Sequence, residues 1–152
     1  MKKICDRADV SEIIKQLKGE GKKIVFTNGC FDLIHVGHVR YLKQAKELGD
    51  ILVIGLNADD SVSRIKPGRP VTQENQRAEV LSALSMVDYI VLFREDTPYA
   101  LIKDIIPDVL VKGADWKKED IVGNDIVKDV RTIPFVEGIS TSEIIRKIKG
   151  LS

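Results

Sequence analysis

Cysteine is scarce in this 152-residue sequence, which also lacks long apolar runs and any marked excess of one charge sign. The two cysteines, Cys5 and Cys30, cannot form the disulfide framework that small secreted domains use. The longest apolar stretch, residues 51–56, contains Gly55 and is far too short to span a bilayer. A net charge of +1 provides no field for non-specific binding to nucleic acid. We therefore expect neither a membrane nor a nucleic acid as a partner.

The beginning of the sequence lacks the pattern of a secretory leader. It reads MKKICD and becomes acidic before an apolar core could form, so we expect a cytoplasmic protein. An apolar content of 43% argues against disorder. A chain of this length can bury roughly two thirds of its unfolded surface in one core. No linker or repeat interrupts it, and we expect one domain over residues 1–152.

Short apolar runs alternate with longer amphipathic stretches along the chain. The runs are typical of strands buried on both faces and cover residues 24–27, 51–56, 89–93, 108–111 and 130–135. Helical spacing of apolar residues covers residues 10–18, 37–48, 74–86, 99–106 and 140–148. This alternation predicts an α/β fold, a Rossmann-like doubly wound sheet of five parallel strands with helices on both faces. Ligands bind such sheets at the carboxyl ends of the strands.

The loop after the first predicted strand carries the only two histidines of the sequence. His35 and His38 lie three residues apart and bracket Gly37, where a helix is expected to begin. A helix N-terminus presents free N–H groups, and glycine lets a phosphate approach the backbone closely. Imidazoles at this spacing can donate hydrogen bonds to phosphoryl oxygens. On the residues alone, a phosphate site competes with a helix cap beside a packed ring, and with a two-histidine metal site that has no third ligand.

Three segments resemble the motifs of a known enzyme family. GCFD at residues 29–32 and HVGH at residues 35–38 resemble the Gly-x-Phe-Asp and His-x-Gly-His motifs of the cytidylyltransferase-like nucleotidyltransferases. EGISTS at residues 137–142 resembles the segment that opens the last helix of those enzymes. The resemblance extends over residues 22–148. It implies a Rossmann-like nucleotidyltransferase that works by direct attack on a phosphoryl group.

Finer features resemble the branch of that family that transfers AMP from ATP to D-glycero-β-D-manno-heptose 1-phosphate. They are TNGCFD at 27–32, GRPV at 68–71, EDTP at 95–98 and VKGADW at 111–116. The resemblance implies an ADP-heptose product for lipopolysaccharide core synthesis, released pyrophosphate, and Mg²⁺ that arrives with ATP. Many members of this branch carry a sugar kinase in front of this domain, so we expect that kinase as a separate chain. The family also implies a homodimer.

The resemblance assigns three groups of site residues by position. The catalytic residues would be His35, His38 and Lys66. The nucleotide would be bound by Thr27, Asn28, Gly29, Cys30, Phe31, Gly37, Lys112, Gly113, Asp115, Ser140, Thr141 and Ser142. The acceptor substrate would be bound by Asp59, Arg69, Arg77 and Trp116. No residue is expected to ligate a metal directly.

Simpler structural roles remain open for several of these residues. Lys66 and Arg69 could form a solvated basic loop, and Arg77 could make an ion pair with Glu74 or Asp88. Asp59 could cap a helix, and Trp116 could cover the core. For Cys30 we expect a backbone role and not a nucleophilic one, because the acceptor phosphate can attack directly.

Two further functions compete with adenylyl transfer to a sugar phosphate. One is cytidylyl transfer to glycerol 3-phosphate or a similar acceptor. Phe135 weighs against it, because the cytidylyl branch has an arginine at this position. The other is a non-catalytic module that binds adenine nucleotides for regulation, since fold does not dictate function. The His35–His38 pair argues against that module, because backbone amides alone would suffice for binding.

Overall fold

All strands described by the structure lie in one parallel sheet. The computed structural model describes residues 2–151. Its strands are β1 (Ile4–Cys5), β2 (Ile24–Gly29), β3 (Ile51–Asn57), β4 (Tyr89–Phe93), β5 (Val109–Gly113) and β6 (Asp129–Ile133). They lie in the order β1-β4-β3-β2-β5-β6, and every neighbouring pair is parallel. The α/β fold with a parallel sheet is confirmed, but the predicted number of five strands is wrong, because residues 2–151 form six.

The additional strand is β1, at one edge of the sheet. It has only two residues, and it pairs Ile4 with Ile90 and Cys5 with Val91 of β4. Two residues are too few to show the apolar run or the alternation by which a strand is recognised in a sequence. The other five strands coincide with the predicted runs, apart from shifts of one or two residues at their ends.

Helices cover both faces of the sheet. They are α1 (Arg7–Gly19), α2 (Val36–Lys46), α3 (Asp59–Ile65), α4 (Glu74–Ser82), α5 (Tyr99–Ile105) and α6 (Thr141–Lys149), with a 3₁₀ turn at Lys118–Asp120. Leu42 of α2 and Leu81 of α4 pack on one face, and Val10 of α1 and Leu101 of α5 pack on the other. The predictions missed α3, which is too short for a clear periodicity. No helix within residues 2–151 is both long enough and apolar enough to cross a membrane.

The two central strands, β2 and β3, are buried from both sides. Val25 belongs to the core beneath α2 and α4, whereas the next residue, Phe26, belongs to the core beneath α1 and α5. Ile54 and Val53 of β3 alternate in the same way. Each such side chain contributes roughly 1.5–3 kcal/mol of hydrophobic free energy when it is fully buried. Burial on both faces explains why these strands appear in the sequence as continuous apolar runs.

Carboxylates bind the backbone at the amino ends of the strands. Asp108 accepts a hydrogen bond from the Ile24 backbone N–H at 2.8 Å, and Asp50 accepts one from Lys23 at 2.8 Å. These contacts satisfy backbone N–H groups at the first residue of β2 and at the residue before it. They stabilise the amino ends of the strands, opposite to the carboxyl ends.

The order of the strands places a crevice at the carboxyl ends of β2 and β5. The chain proceeds from β2 to β3 on one side, whereas β5 lies on the other side of β2. The segments that follow β2 and β5 pack on opposite faces, since α2 belongs to one core and Ile121 to the other. Their divergence opens the sheet at this point, which is where ligands bind in folds of this kind.

A buried guanidinium forms hydrogen bonds with several loops near this crevice. Arg77 of α4 is 1% exposed and donates hydrogen bonds at 2.7–2.8 Å to the backbone carbonyls of Cys30, Asn57 and Thr72. Its remaining bond goes to the Asp59 carboxylate at 2.8 Å. The planar guanidinium can satisfy several acceptors at once, which a lysine ammonium cannot do in this geometry. Arg77 therefore joins the loop after β2, the end of β3 and the loop before α4.

We predict that Arg77→Met lowers the free energy of unfolding by roughly 3–5 kcal/mol, because one buried carbonyl, two partly buried carbonyls and a carboxylate lose their donor together. Arg94→Met is the matched control, since Arg94 is also an arginine paired with carboxylates, Asp60 and Glu74, but is 62% exposed. The control should change stability by about 0.5 kcal/mol or less. Urea denaturation measures both variants. A loss below about 1 kcal/mol for Arg77→Met would show that the buried network is dispensable.

Candidate active site

A cavity of about 300 Å³ opens at the carboxyl ends of β2 and β5, between the first turns of α2 and α6. Most of the predicted site residues line it. They are Asn28, Gly29, Cys30, Phe31, His35, Gly37, His38, Lys66, Arg69, Lys112, Gly113, Trp116, Ser140, Thr141 and Ser142. The crevice of the sheet and the motif residues therefore coincide.

The side chains of the two histidines accept hydrogen bonds from the backbone at the start of α2. His35 is the N-cap residue, and its Nδ1 accepts a hydrogen bond from the Gly37 backbone N–H at 3.1 Å. The Nδ1 of His38 accepts a hydrogen bond from the His35 backbone N–H at 3.2 Å. Because an acceptor nitrogen carries no proton, each neutral ring has its proton on Nε2. Both rings therefore have a hydrogen-bond donor left for a ligand.

Burial keeps both imidazoles neutral. The rings are stacked, with their centroids 3.9 Å apart. Burial, together with the smaller effects of the nearby His35 and Lys66, lowers the pKa of His38 to about 4. Burial also lowers the pKa of His35. At neutral pH the pair consequently offers two neutral N–H donors.

The loop that leads into α2 has a backbone suited to close packing. Phe31 and Leu33 adopt the left-handed region with φ of 47° and 53°, which is uncommon for residues other than glycine. Such strain concentrates at functional sites. The His35 ring requires a glycine at position 37, because a Cβ there would lie 2.9 Å from the ring. The Phe31 ring packs against His38 with centroids 5.3 Å apart.

Basic side chains reach the cavity from two sides. Lys66 and Arg69 lie in the loop between α3 and α4, and the Arg69 guanidinium donates to the Ser142 hydroxyl at 3.2 Å. Lys112 at the end of β5 donates to the Asn28 carbonyl at 3.3 Å and lies 5.5 Å from the centre of the Trp116 ring. Burial lowers the pKa of Lys112. These cations and the α2 N-terminus favour a polyanionic ligand.

The start of α6 forms the opposite wall. Ser140 is the N-cap residue, and its hydroxyl accepts a hydrogen bond from the Glu143 backbone N–H at 3.1 Å. The Thr141 hydroxyl donates to the Asp32 backbone carbonyl at 2.7 Å, which attaches α6 to the loop after β2. Two helix N-termini therefore border the same cavity. Their dipoles reinforce the attraction of an anion.

The structure does not bring four predicted residues to the cavity wall. Thr27 is fully buried and bonds to the Tyr41 hydroxyl at 2.8 Å, so it supports a lining residue instead. Asp59 and Arg77 are engaged with each other in the buried network, so Arg77 makes an ion pair with Asp59 and not with Glu74 or Asp88. Asp115 is exposed beside the rim.

Several lining residues were not assigned a role in the sequence interpretation. They are Asp32, Tyr41, Pro134, Val136 and Ile139, together with Phe135. Asp32 belongs to the GCFD motif, so its position in the motif could have identified it. Ile139 lies in the EGISTS segment, and Phe135 entered only the choice between the two branches of the family. Tyr41, Pro134 and Val136 carry no local sequence signal, because their approach depends on how β6 and α2 pack around the cavity.

The aromatic residue Phe135 is 63% exposed and lies over Gly113. A Cβ on Gly113 would come within 2.4 Å of the Phe135 ring, so the glycine makes room for it. Trp116, 45% exposed, also lines the cavity. Two exposed aromatic rings beside a cavity can cover the flat face of a ligand.

Comparison with known proteins assigns the chain to a family. The profile described as Cytidylyltransferase-like matches residues 26–147, and the chain belongs to this family. The family expected from the GCFD and HVGH motifs is thereby confirmed, and with it the enzyme class, nucleotidyltransferase.

The curated relatives are longer proteins. The chain is 60% identical over 142 residues to the Bifunctional protein HldE of Campylobacter concisus, covering 93% of this chain and 30% of that protein. It is 53% identical over 149 residues to the Bifunctional protein HldE of Wolinella succinogenes, covering 97% of this chain and 31% of that protein. The chain thus spans about a third of the length of the curated relatives that it matches.

Solved structures show the same fold. The lipopolysaccharide core biosynthesis protein from Thermoplasma volcanium superimposes with a TM-score of 0.67 at 31% identity, covering 77% of this chain and all of that one. A pantoate-β-alanine ligase from Francisella tularensis, complexed with β,γ-ATP and β-alanine, has a TM-score of 0.66, covering 98% of this chain and 77% of that one. At 16% identity, this second match supports the fold alone.

We predict that His38 titrates near pH 4, because burial disfavours its charged form. In the unfolded chain its pKa returns toward 6.5, so the unfolded state binds more protons between these values. The contribution of His38 to stability is therefore complete above pH 6.5 and is lost as the pH falls toward 4. NMR titration of the imidazole carbons measures the midpoint, and His38→Asn assigns the resonance. A midpoint of 6 or above would contradict the buried, neutral state.

Proposed function

We propose that this chain transfers AMP from ATP to a sugar 1-phosphate, D-glycero-β-D-manno-heptose 1-phosphate, and forms ADP-heptose and pyrophosphate. This product would serve the synthesis of the lipopolysaccharide core. The observation that carries the proposal is the neutral His35–His38 pair at the start of α2, beside a cavity lined by Lys66, Arg69 and Lys112. The HldE proteins and the lipopolysaccharide core biosynthesis protein support the choice of pathway.

The reaction requires no base from the protein. An oxygen of the acceptor phosphate, already negatively charged near neutral pH, attacks the α-phosphorus of ATP and forms the new P–O bond. The bond between the α-phosphorus and the oxygen bridging to the β-phosphorus breaks, and pyrophosphate takes the electron pair. Catalysis then consists of alignment and of stabilising charge on the phosphoryl oxygens.

The histidine pair is suited to that stabilisation. Each Nε2–H can donate to an oxygen of the α- or β-phosphate while Nδ1 stays on the backbone. Because the donors are held before the ligand arrives, little reorganisation is needed as negative charge builds. The lysine and arginine side chains would neutralise the departing pyrophosphate.

A magnesium ion would come with the nucleotide. In the part of the chain that the structure describes, no three histidine, cysteine or acidic residues approach closely enough to hold a metal ion. The donor set at the cavity is rich in cations and N–H groups, which fit phosphate oxygens and not a metal. Mg²⁺ binds triphosphates through their oxygens and retains water readily, so it would supply charge neutralisation to the nucleotide.

The nucleotide base would be adenine. Phe135 occupies the place where the cytidylyl branch has an arginine, and its exposed ring and that of Trp116 offer apolar faces at the cavity. A fused purine covers such faces better than a pyrimidine does. Cytidylyl transfer to glycerol 3-phosphate is the alternative function within the family. A non-catalytic regulatory module would have no need of two donors poised for a transition state.

We predict that His38→Ala lowers kcat by about 100- to 1,000-fold and changes the KM for ATP much less, because a donor to the transition state is lost. His38→Asn separates two roles of this residue. Its amide oxygen can still accept the His35 N–H, but it has no donor where Nε2 lies. Steady-state pyrophosphate release with ATP and the heptose phosphate measures both. If His38→Asn retains near-normal kcat, the histidine only caps the helix.

We predict that ATP exceeds CTP by at least about 100-fold in kcat/KM, because a pocket shaped for a purine leaves polar groups unpaired around a pyrimidine. A panel that combines ATP, CTP, GTP and UTP with heptose 1-phosphate and glycerol 3-phosphate measures this preference. Phe135→Arg is a useful companion, since it should reduce the preference for ATP. Faster turnover with CTP for any acceptor would refute adenylyl transfer and leave the enzyme class intact. Tight ATP binding without turnover would favour the regulatory module.

A further inference from the structure

The Asp32 carboxylate binds the backbone of a distant loop. Asp32 is 3% exposed and follows Phe31 in the motif. One of its carboxylate oxygens accepts the Val71 N–H at 2.8 Å, and the other accepts the Thr72 N–H at 2.9 Å. A charged acceptor makes stronger hydrogen bonds with backbone donors than a neutral acceptor does. Although Asp32 borders the cavity, both of its carboxylate oxygens are engaged with the protein.

The loop held by Asp32 carries the basic residues of the cavity. It runs from the end of α3 to the start of α4 and places Lys66 and Arg69 on the cavity wall. Its first three residues, 66–68, are exposed, whereas Val71 and Thr72 are attached to Asp32. The Thr72 carbonyl also accepts a bond from Arg77 at 2.8 Å. The position of the two cations thus depends on an anchor a few residues away.

Asp32 also contacts the opposite wall of the cavity. Its backbone carbonyl accepts the Thr141 hydroxyl at 2.7 Å, at the first residue of α6. The Arg69 guanidinium reaches the same helix through the Ser142 hydroxyl. One buried residue therefore joins the histidine motif, the basic loop and the second helix N-terminus.

We propose that Asp32 is a positioning residue that sets the distance of Lys66 and Arg69 from the His35–His38 pair. This inference rests on the proposed function, in which these cations neutralise the departing pyrophosphate while the histidines stabilise the reacting phosphate. The two sets of charges must be aligned on one triphosphate. A misplacement of about 1 Å in such an arrangement can lower the rate by about 100-fold.

Asp32→Asn tests this role with almost no change of shape. The new amide group presents N–H where an oxygen accepted a backbone N–H, so one bond is lost and two donors face each other. Asp108→Asn is the matched control, because Asp108 also accepts a backbone N–H at 2.8 Å but at the opposite end of the sheet. We expect both variants to lose stability, and only Asp32→Asn to lose kcat, by about 100-fold with less than about a threefold change in KM for ATP.

A double-mutant cycle distinguishes positioning from general destabilisation. In a Lys66→Met, Arg69→Met background, Asp32→Asn should lower kcat by less than about threefold, because the groups through which it acts are absent. An equal loss of kcat in both backgrounds would overturn the proposal. So would an unchanged kcat in Asp32→Asn, or a loss of kcat in Asp108→Asn as large as that in Asp32→Asn.

Two measurements remain decisive if Asp32→Asn does not fold or if the chain transfers no nucleotide. In the wild-type protein, the Val71 and Thr72 amides should exchange with deuterium as slowly as those of α4, and rapid exchange would overturn the proposal. Calorimetry should show that inorganic pyrophosphate binds to the wild-type protein. Asp32→Glu displaces the carboxylate and should weaken this binding by about tenfold. Unweakened binding would also overturn it. Absence of transfer by the wild type, with both results as expected, would refute only the proposed function.

Discussion

The active site is organised by two hydrogen bonds from backbone N–H groups to histidine Nδ1 atoms. These bonds satisfy donors that a helix start would otherwise expose, and they set the tautomer of both rings. The same contacts orient the stacked rings and require a glycine at position 37. Helix capping and the proposed phosphate binding would therefore be two consequences of one arrangement. The structural and phosphate-binding interpretations of His35 and His38 do not exclude each other.

The surroundings of the pair preserve its geometry. Asp32 and Arg77 are both buried and bind the backbone of the loop before α4. Asp32 accepts hydrogen bonds from two N–H groups of this loop, and Arg77 donates one to a carbonyl of the same loop. Arg77 also binds the Cys30 carbonyl within the motif. A phosphate ligand brings several negative charges, and flexible cations alone would lose entropy in meeting it. Holding the loop beforehand reduces that cost, which is how pre-organisation favours binding and catalysis.

The sequence allowed most of the fold to be predicted, because strands buried on both faces leave long apolar runs. β1 could not be predicted in this way, since two residues at an edge depend on β4 for their conformation. For the site, the spacing of His35 and His38 placed both rings correctly at a helix start. The sequence predicts Asp59 and Arg77 as substrate ligands, because a charged residue after a strand or on a helix looks the same in sequence whether it faces a ligand or other protein groups. The partners that decide this, such as Asn57 and Thr72, come together only in the fold.

The central claim is that the site transfers a nucleotidyl group directly, with histidines that donate hydrogen bonds and form no covalent bond. Exchange of radiolabelled pyrophosphate into ATP tests this claim most directly. Direct transfer predicts no exchange with ATP and pyrophosphate alone, and rapid exchange when the sugar 1-phosphate is added, because the ADP-sugar formed can be cleaved again by pyrophosphate. Exchange at full rate without the acceptor would indicate an adenylyl-enzyme intermediate and would contradict the account.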